Sequence, residues 1–300
     1  MAKIKYTLVG TGGRAGFFYG EVVTVFKDTS ELVAFCDVNQ HGADYFRRWH
    51  QDKRNSGGLL VHKSTHHFDL MNFWLGSKPE TVYAMGDLKF YGRENAEQRG
   101  VTEFYQRAYG SKAAENDPFA LHLDRNEHLK SMYLDAEHED GYVRDQGVFG
   151  DNISIEDTLS VMVKYQNKTV MNYSLNAYMP WEGFIIVFNG TKGRMEVGVS
   201  EQSYVNSGDS KADEGALKEK TITIYPHFAA PYEVEVEEGQ GGHGGGDPVM
   251  LRDIFDKPAE DRFHRAASHI NGAWSILTGI AANRSMRTGQ PVKVEQLVRL

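Results

Sequence analysis

The stretch Tyr6-Thr-Leu-Val9-Gly10-Thr-Gly12-Gly13-Arg14-Ala15-Gly16 consists of a short apolar run followed by a glycine-rich turn. A helix-compatible segment comes next, and a second apolar run then ends on an acid, in Leu32-Val-Ala-Phe-Cys-Asp37. The order strand, glycine turn, helix, strand and terminal acid is typical of the first unit of a dinucleotide-binding (Rossmann) domain. The pattern therefore predicts an α/β fold that begins with a parallel βαβ unit.

The residue types in the turn suit a pyrophosphate-binding loop. Gly10 allows a tight turn, Gly12 lets the backbone approach a pyrophosphate, and Ala15 is small enough for close helix–strand packing. Asp37 follows about twenty residues later, where a carboxylate hydrogen-bonds a ribose 2′-hydroxyl and favours NAD over NADP. The alternative is an ordinary glycine turn, with Asp37 capping a loop. The predicted cofactor site consists of Gly10, Gly12, Gly13, Arg14, Ala15 and Asp37.

The segment after Asp37 does not continue a Rossmann domain. Residues 38–56 are polar, aromatic and basic, without the apolar run of a buried parallel strand. A doubly wound sheet needs further strands to form the crevice that holds a dinucleotide. We therefore predict a truncated dinucleotide-binding unit over residues 1–40 and a second, substrate-binding and oligomerisation domain over residues 41–300.

Composition limits the class of protein. Of 300 residues, 40% are hydrophobic and 31 are glycine, so about half are apolar and a wholly disordered chain is excluded. The apolar runs are too short for a transmembrane helix, and no signal-peptide core follows Met1. The single cysteine suits a reducing compartment, and the net charge of −8 argues against nucleic-acid binding. We expect a cytoplasmic protein without membrane or nucleic-acid partners.

The second half of the chain alternates between apolar and polar residues. Leu159, Val161, Val163 and Tyr165 share one face of a predicted strand, and residues 166–168 form a predicted turn. Such alternation is typical of an antiparallel sheet with one buried face. Two helices are also predicted. One has Asp247 as its N-cap, and the other is a long amphipathic helix through Phe263, Ala267, Ile270, Trp274, Leu277 and Ala281 that ends near Gly289.

Three further segments have no recognisable motif. Residues 93–140 are charged and are predicted to be partly helical, as an insertion. Residues 203–220 are polar and are predicted to form an exposed excursion. The glycine-rich segment 239–246 lacks the Lys-Ser/Thr of a P-loop, so we interpret it as a flexible or close-approach loop.

Candidate catalytic residues are concentrated in Ser56-Gly-Gly-Leu-Leu-Val-His62-Lys63-Ser-Thr-His66-His67-Phe-Asp69. His66 and Asp69 are three residues apart, on one face of a predicted helix, and His62 joins that face if the helix begins early enough. A histidine held by a carboxylate can act as a general acid or base, and Lys63 can protonate or orient a hydroxyl. The alternative is that Lys63 and His67 are solvated and Asp69 is a structural hydrogen-bond partner. Because two histidines do not close a metal site, we predict none.

A second group of residues suits contact with a sugar. Tyr45 and Trp49 offer aromatic faces to C–H groups, and Arg47 and Arg48 offer donors to hydroxyls. The alternative is a packed loop with solvated arginines. Three more distant residues are candidates for the same cleft: Trp181, His243 and Asp247.

These motifs resemble the glucose–fructose oxidoreductase / inositol dehydrogenase (Gfo/Idh/MocA) family. The likeness rests on Gly10–Gly16, on Gly57-Gly-x-Leu-x-His62-x-x-x-His66-x-x-Asp69 and on the antiparallel second half, and it is greatest to the branch with NAD-dependent glycosidases. It implies a Rossmann domain, an α/β domain on a large, mainly antiparallel sheet, and homo-oligomers formed through that open sheet. It also implies a nicotinamide cofactor that faces a carbohydrate substrate.

The resemblance implies roles for single residues as well. His66 matches the family's catalytic histidine and Asp69 its helical acid, whereas His62 stands where the family often has Asp. Family members carry more than a hundred residues at the position of residues 38–41, including a Glu-Lys-Pro segment with a catalytic lysine. Here Lys78-Pro79 follows Ser77 instead.

Two functions are therefore weighed. The first is NAD(P)-dependent oxidation of a sugar, cyclitol or glycoside hydroxyl, with NAD favoured over NADP. The alternative is a cofactor-independent carbohydrate-binding or acid–base lyase module that has lost its nucleotide domain. A third hypothesis is an inactive structural subunit of an oligomer.

Overall fold

A computed structural model describes residues 4–7, 30–34, 42–179, 182–202, 219–236, 239, 245–256 and 260–298. Within these ranges it contains ten strands and eight α-helical segments. The strands are β1 Ile4–Thr7, β2 Ser30–Ala34, β3 Pro79–Asp87, β4 Thr158–Tyr165, β5 Val170–Asn176, β6 Glu182–Gly190, β7 Gly193–Gln202, β8 Glu219–Pro226, β9 Tyr232–Glu233 and β10 Val292–Lys293. The helices are α1 Lys53–Ser56, α2 Leu59–His62, α3 Thr65–Leu75, α4 Arg93–Gln98, α5 Glu127–Leu129, α6 Glu137–Asp140, α7 Gly246–Phe255 and α8 His269–Thr288.

The chain divides into two compact units. The first comprises Met1–His41, Ile185–Val199 and Lys220–Ala266, and the second comprises Gly42–Phe184, Ser200–Glu219 and Ala267–Leu300. The division into a dinucleotide-binding domain 1–40 and a substrate domain 41–300 stays a prediction.

The strands β1 and β2 pair in parallel, with Ile4 opposite Ser30 and Tyr6 opposite Leu32. Parallel pairing requires a crossover between the two strands, which is the arrangement that the glycine-turn motif predicts. A second sheet has the order β6-β7-β8-β9, and its strands β8 and β9 are antiparallel. A turn at residues 191–192 joins β6 to β7.

A further four-stranded sheet has the order β10-β3-β4-β5, and each of its neighbouring pairs is antiparallel. Val82 of β3 is opposite both Val163 of β4 and Val292 of β10. The residues that the spacing places on one face of β4 are buried and alternate with exposed ones; the buried set is Leu159, Val161, Val163 and Tyr165. The predicted α/β class with antiparallel sheets is confirmed.

The long helix α8 packs on β3 and against α2 and α3. Close approach requires a glycine, because a Cβ atom at Gly279 would overlap the carbonyl oxygen of Leu60. The hydroxyl of Ser275 donates to the carbonyl of Thr65 (2.7 Å), and the amide of Ala84 donates to the hydroxyl of Ser285 (3.0 Å). These contacts fix α3 relative to the sheet, and α3 carries the candidate catalytic residues.

Both predicted helices are present, but each begins at a residue other than the predicted one. The N-terminus of α8 is at His269, with Ser268 and Asn271 forming a capping box, so the predicted start near Phe263 is wrong and Phe263 is exposed. The predicted end at Gly289 is confirmed by its left-handed conformation. The N-cap of α7 is Gly245, and Asp247 lies buried in the first helical turn rather than at the cap.

The insertion between β3 and β4 is built from short helical pieces, in agreement with the prediction for residues 93–140. Besides α4, α5 and α6 it contains a π-helical turn at Lys130–Leu134 and 3₁₀ turns at Lys112–Ala114 and Leu123–Arg125. It is tied to the sheet by the buried Asp157, which accepts hydrogen bonds from the amides of Lys89, Phe90 and Tyr91.

Among the described residues, no helix combines the length and apolar character needed to cross a lipid bilayer. In the same part of the chain, no three His, Cys, Asp or Glu side chains are grouped so as to hold a metal ion.

Candidate active site

Two consecutive glycines position the candidate catalytic histidines. Gly57 and Gly58 have φ of 72° and 77°, a conformation that strains other residues, and a Cβ atom on Gly57 would lie 2.8 Å from Val61. Gly57 is the C-cap of α1 and Gly58 is the N-cap of α2, which ends at His62. The double glycine therefore sets where the two following helices begin.

His62 and His66 do not share one continuous helix. His62 is the last residue of α2, whereas His66 is in the first turn of α3, and Lys63 and Ser64 separate the two. The sequence placed His62 on the face of His66 and Asp69 only if their helix began early enough. Because α3 begins at Thr65, His62 is not on that face. The two histidines consequently have different surroundings.

His66 is exposed and Asp69 is half-buried, three residues apart along α3. Burial raises the pKa of Asp69 from its ordinary value, and the imidazole of His66 opposes that shift. The two groups therefore act on each other electrostatically, and a carboxylate near an imidazole shifts the pKa of the histidine.

His67 is held in the protein rather than solvated. Its Nδ1 lies 2.9 Å from the hydroxyl of Tyr173 on β5, and that hydroxyl donates to Ser64 (3.0 Å). Burial, followed by the charge of Lys63, lowers the pKa of His67. The alternative of a solvated His67 is wrong, and this histidine joins α3 to the sheet.

His62 lies in a cluster of rings with Tyr45, Trp49 and His50. The ring centroids of His62 lie 4.8 Å from Tyr45, 6.4 Å from Trp49 and 4.3 Å from His50, and Trp49 stacks on His50 at 3.8 Å. The structure thus brings two predicted substrate residues, Tyr45 and Trp49, beside a predicted catalytic residue. His50 was not predicted from the sequence.

Both histidines of this cluster are neutral at pH 7. Burial, followed by the proximity of His62 and Arg48, lowers the pKa of His50 to about 3. Burial and then the charges of Arg48 and Lys63 lower the pKa of His62 to about 4, although a contact with the backbone of Gly58 opposes the shift. Burial also raises the pKa of Tyr45.

The arginines beside this cluster are buried. Arg47 and Arg48 lie among Asp44, Tyr142 and Arg144, and the Nε of Arg48 donates to the hydroxyl of Tyr142 (3.3 Å). The alternative of a loop with solvated arginines is therefore wrong. Whether these residues contact a sugar stays a prediction.

Several predicted site residues lie outside the described part of the chain. They are the cofactor residues Gly10, Gly12, Gly13, Arg14, Ala15 and Asp37, and the substrate residues Trp181 and His243. Their roles stay predictions.

Comparison with known proteins identifies the family. The model of the oxidoreductase family's C-terminal α/β domain, GFO_IDH_MocA_C, matches residues 33–294. The chain belongs to the Gfo/Idh/MocA oxidoreductase family. It is 37% identical over 279 residues to YteT of Bacillus subtilis (strain 168), described as an oxidoreductase, and this match covers 87% of the chain and 61% of YteT.

Solved structures of oxidoreductases are also similar. A protein from Desulfitobacterium hafniense described as an NADPH-dependent oxidoreductase matches with a TM-score of 0.48 and 12% identity, over 84% of this chain and 52% of that one. The aldose-aldose oxidoreductase of Caulobacter crescentus matches with a TM-score of 0.44 and 12% identity, over 95% and 64%. The chain spans 61% of the length of YteT.

Proposed function

We propose that this Gfo/Idh/MocA chain oxidises a hydroxyl group of a sugar, cyclitol or glycoside with NAD, and that NADP is the weaker cofactor. The observation that carries the proposal is the exposed imidazole of His66, which has the half-buried carboxylate of Asp69 three residues further along α3. Family membership supports the reaction class, because the chain matches the family's C-terminal domain over most of its length.

The chain's own residues would handle the proton of the reaction. Oxidation of a secondary alcohol removes a proton from oxygen while a hydride leaves carbon, and bound NAD supplies the hydride acceptor. A ring nitrogen of His66 takes the hydroxyl proton, and Asp69 stabilises the imidazolium that forms. The half-buried Lys63 orients the same hydroxyl. His62 stays neutral because its pKa is about 4, so it contributes a hydrogen-bonding group rather than a charge.

The cofactor would be held at the start of the chain. The described part of that segment is the parallel pair β1–β2, which fits the strand arrangement of a dinucleotide-binding unit. The glycine turn of residues 10–16 would bind the pyrophosphate and Asp37 the ribose. Tyr45, Arg48, Trp49, Trp181 and His243 would face the sugar, and a homo-oligomer through the open sheet completes the proposal.

The test combines cofactor binding with turnover. We expect isothermal titration to detect NAD binding and a panel of sugars and cyclitols to show NAD reduction. His66→Asn should lower kcat by about 10²–10⁴-fold with a smaller change in KM, since it removes the proton acceptor. The matched control is His138→Asn, which changes an exposed histidine of α6 and should leave kcat unchanged.

Two results would overturn the proposal. One is a failure to bind NAD at millimolar concentration. The other is lysis of a carbohydrate without NAD, with no NAD reduction by any sugar or cyclitol of the panel, which would instead support the cofactor-independent carbohydrate module.

A further inference from the structure

Four charged side chains lie together in the interior, beside the ring cluster that contains His50 and His62. Asp44 is 7% exposed, Arg47 and Arg144 are 4% exposed, and Arg48 is 2% exposed. All three guanidiniums act electrostatically on the carboxylate of Asp44, so the four groups form one cluster. We refer to Arg47, Arg48 and Arg144 as the arginine cluster.

Asp44 balances only part of this positive charge. Arg144 donates from Nη2 to Oδ2 of Asp44, and Nε of Arg47 lies 3.3 Å from Oδ1. Burial raises the pKa of Asp44, but Arg144 and Arg47 outweigh that effect and hold the pKa below its ordinary value, so the carboxylate is charged. Arg48 has the neutral hydroxyl of Tyr142 as its hydrogen-bond partner. Within the described part of the chain, the three cations thus have Asp44 as their ion-pair or electrostatic carboxylate partner.

Each arginine of the cluster also keeps an unused donor. Among the described residues, the buried Nη1 atoms of Arg47, Arg48 and Arg144 have no hydrogen-bond partner, and neither have the Nε atoms of Arg47 and Arg144. A guanidinium cannot become neutral by losing a proton at physiological pH. A buried cation that is neither paired nor fully hydrogen-bonded is costly to the folded state. Water can fill donor positions but does not balance the surplus charge.

A bound oxyanion supplies both hydrogen-bond acceptors for the unused donors and negative charge to balance the cations. Carboxylate and phosphate groups carry negative charge and match the forked donors of arginine in a bidentate arrangement. The cluster adjoins two predicted sugar-contact residues, because the rings of Tyr45 and Trp49 lie against His62 and His50, whose pKa values Arg48 lowers. His62 itself is four residues before His66.

We propose that the arginine cluster binds an oxyanion group carried by the substrate, so that the substrate is an acidic sugar, either a uronate or a sugar phosphate. The identity of the ligand as a sugar rests on the proposed function, whereas the anion site rests on the arginine cluster alone.

The test is isothermal titration of the chain without NAD. The probes are D-glucose, D-glucuronate and D-glucose 6-phosphate, with acetate and inorganic phosphate as free anions. We expect one acidic sugar to bind at least about tenfold more tightly than glucose and than the matching free anion, in line with the strength of charged hydrogen bonds. Tighter binding of glucuronate identifies a carboxylate site, and tighter binding of glucose 6-phosphate identifies a phosphate site.

A pair of variants locates the site. Arg48→Met should weaken binding of the acidic sugar by about tenfold or more and weaken that of glucose by less. Arg54→Met is the matched control, since the side chain of Arg54 is 89% exposed on α1, and it should have no effect. If Arg48→Met does not fold, as judged by circular dichroism, the comparison of ligands on the wild-type chain decides alone.

The proposal is overturned if no acidic sugar binds more tightly than glucose, or if a free anion binds as tightly as the acidic sugar. It is also overturned if Arg54→Met weakens binding as much as Arg48→Met. Because no NAD or turnover is involved, a chain that prefers an acidic sugar but never reduces NAD would refute the proposed function and keep this one.

Discussion

Asp157 and the arginine cluster are two buried charge centres with opposite degrees of pairing. Asp157 is fully buried, and it accepts hydrogen bonds from the amides of Lys89 (2.9 Å), Phe90 (2.7 Å) and Tyr91 (3.0 Å) and from the hydroxyl of Thr158 (2.9 Å). In the arginine cluster, three cations contact or act on the carboxylate of Asp44, and several buried donors have no partner among the residues that the structure describes. A charge whose partners all come from the protein fixes the path of the chain. A buried charge that the protein neither balances nor fully hydrogen-bonds indicates a ligand site.

Removing the fully paired charge should have the largest effect. Asp157→Ala leaves three backbone amides without an acceptor, and each unsatisfied buried group costs about 1–3 kcal/mol, so we expect a loss of about 3 kcal/mol or more in unfolding free energy. Urea denaturation measures this loss. Asp124→Ala, at an exposed carboxylate in the insertion, is the control and should change little. A loss at Asp157 no larger than at Asp124 would remove the contrast between the two centres.

The second-largest effect should come from pH, because His50 and His62 lie beside the arginine cluster and stay neutral. Their pKa values of about 3 and 4 in the folded chain are below the ordinary value of 6.5. Between pH 6.5 and 4 the unfolded chain thus binds more protons, so the unfolding free energy falls as pH is lowered. Above pH 6.5 both histidines are neutral in both states and the effect vanishes.

Urea denaturation at a series of pH values tests this, with His50→Gln as the variant. The fall in unfolding free energy between pH 6.5 and 4 should be shallower in His50→Gln than in the wild type. His128→Gln, which alters an exposed histidine, should retain the wild-type slope. Equal slopes in all three proteins would mean that protonating His50 adds no cost beside the arginines.

The smallest effect should come from an exposed ion pair, as a reference for both buried centres. Nζ of Lys164 lies 2.9 Å from Oε1 of Glu80 on the neighbouring strand, and both side chains are exposed. Lys164→Met should lower the unfolding free energy by about 0.5 kcal/mol or less, because water screens such pairs. If Lys164→Met lost as much unfolding free energy as Asp157→Ala, the size of the loss would depend on whether the charge is paired rather than on whether it is buried.

Much of the fold follows from local sequence signals. The alternation of Leu159, Val161, Val163 and Tyr165 predicts β4 correctly because one face of the strand is buried and the other is exposed. The start of α8 is not predicted, because the apolar spacing continues back to Phe263 while the capping box of Ser268 begins the helix. Hydrophobic spacing identifies the buried face of a helix but not where its first amides are capped.

The candidate site is only partly predictable from the sequence, because some of its residues are close together along the chain and others are far apart. His66, Asp69 and the double glycine follow one another closely, so their spacing carries the information. Asp44 and Arg144 are 100 residues apart, and Arg48 and Tyr142 are 94 apart. Tyr142 and Arg144 follow the insertion 93–140 and belong to no motif quoted from the sequence, so no local pattern indicates that they meet the arginines near residue 48.

The most direct measurement is the unfolding free energy of the wild type and of Arg48→Met, each without ligand and with saturating acidic sugar. Without ligand we expect Arg48→Met to be equal to the wild type or more stable by up to about 2 kcal/mol, because an incompletely paired cation gives way to an apolar side chain of similar length. Acidic sugar at 100 times its Kd should then stabilise the wild type by about 2.7 kcal/mol and the variant by much less, which reverses the order. The claim is contradicted if Arg48→Met is the less stable protein without ligand and gains as much from the acidic sugar as the wild type does.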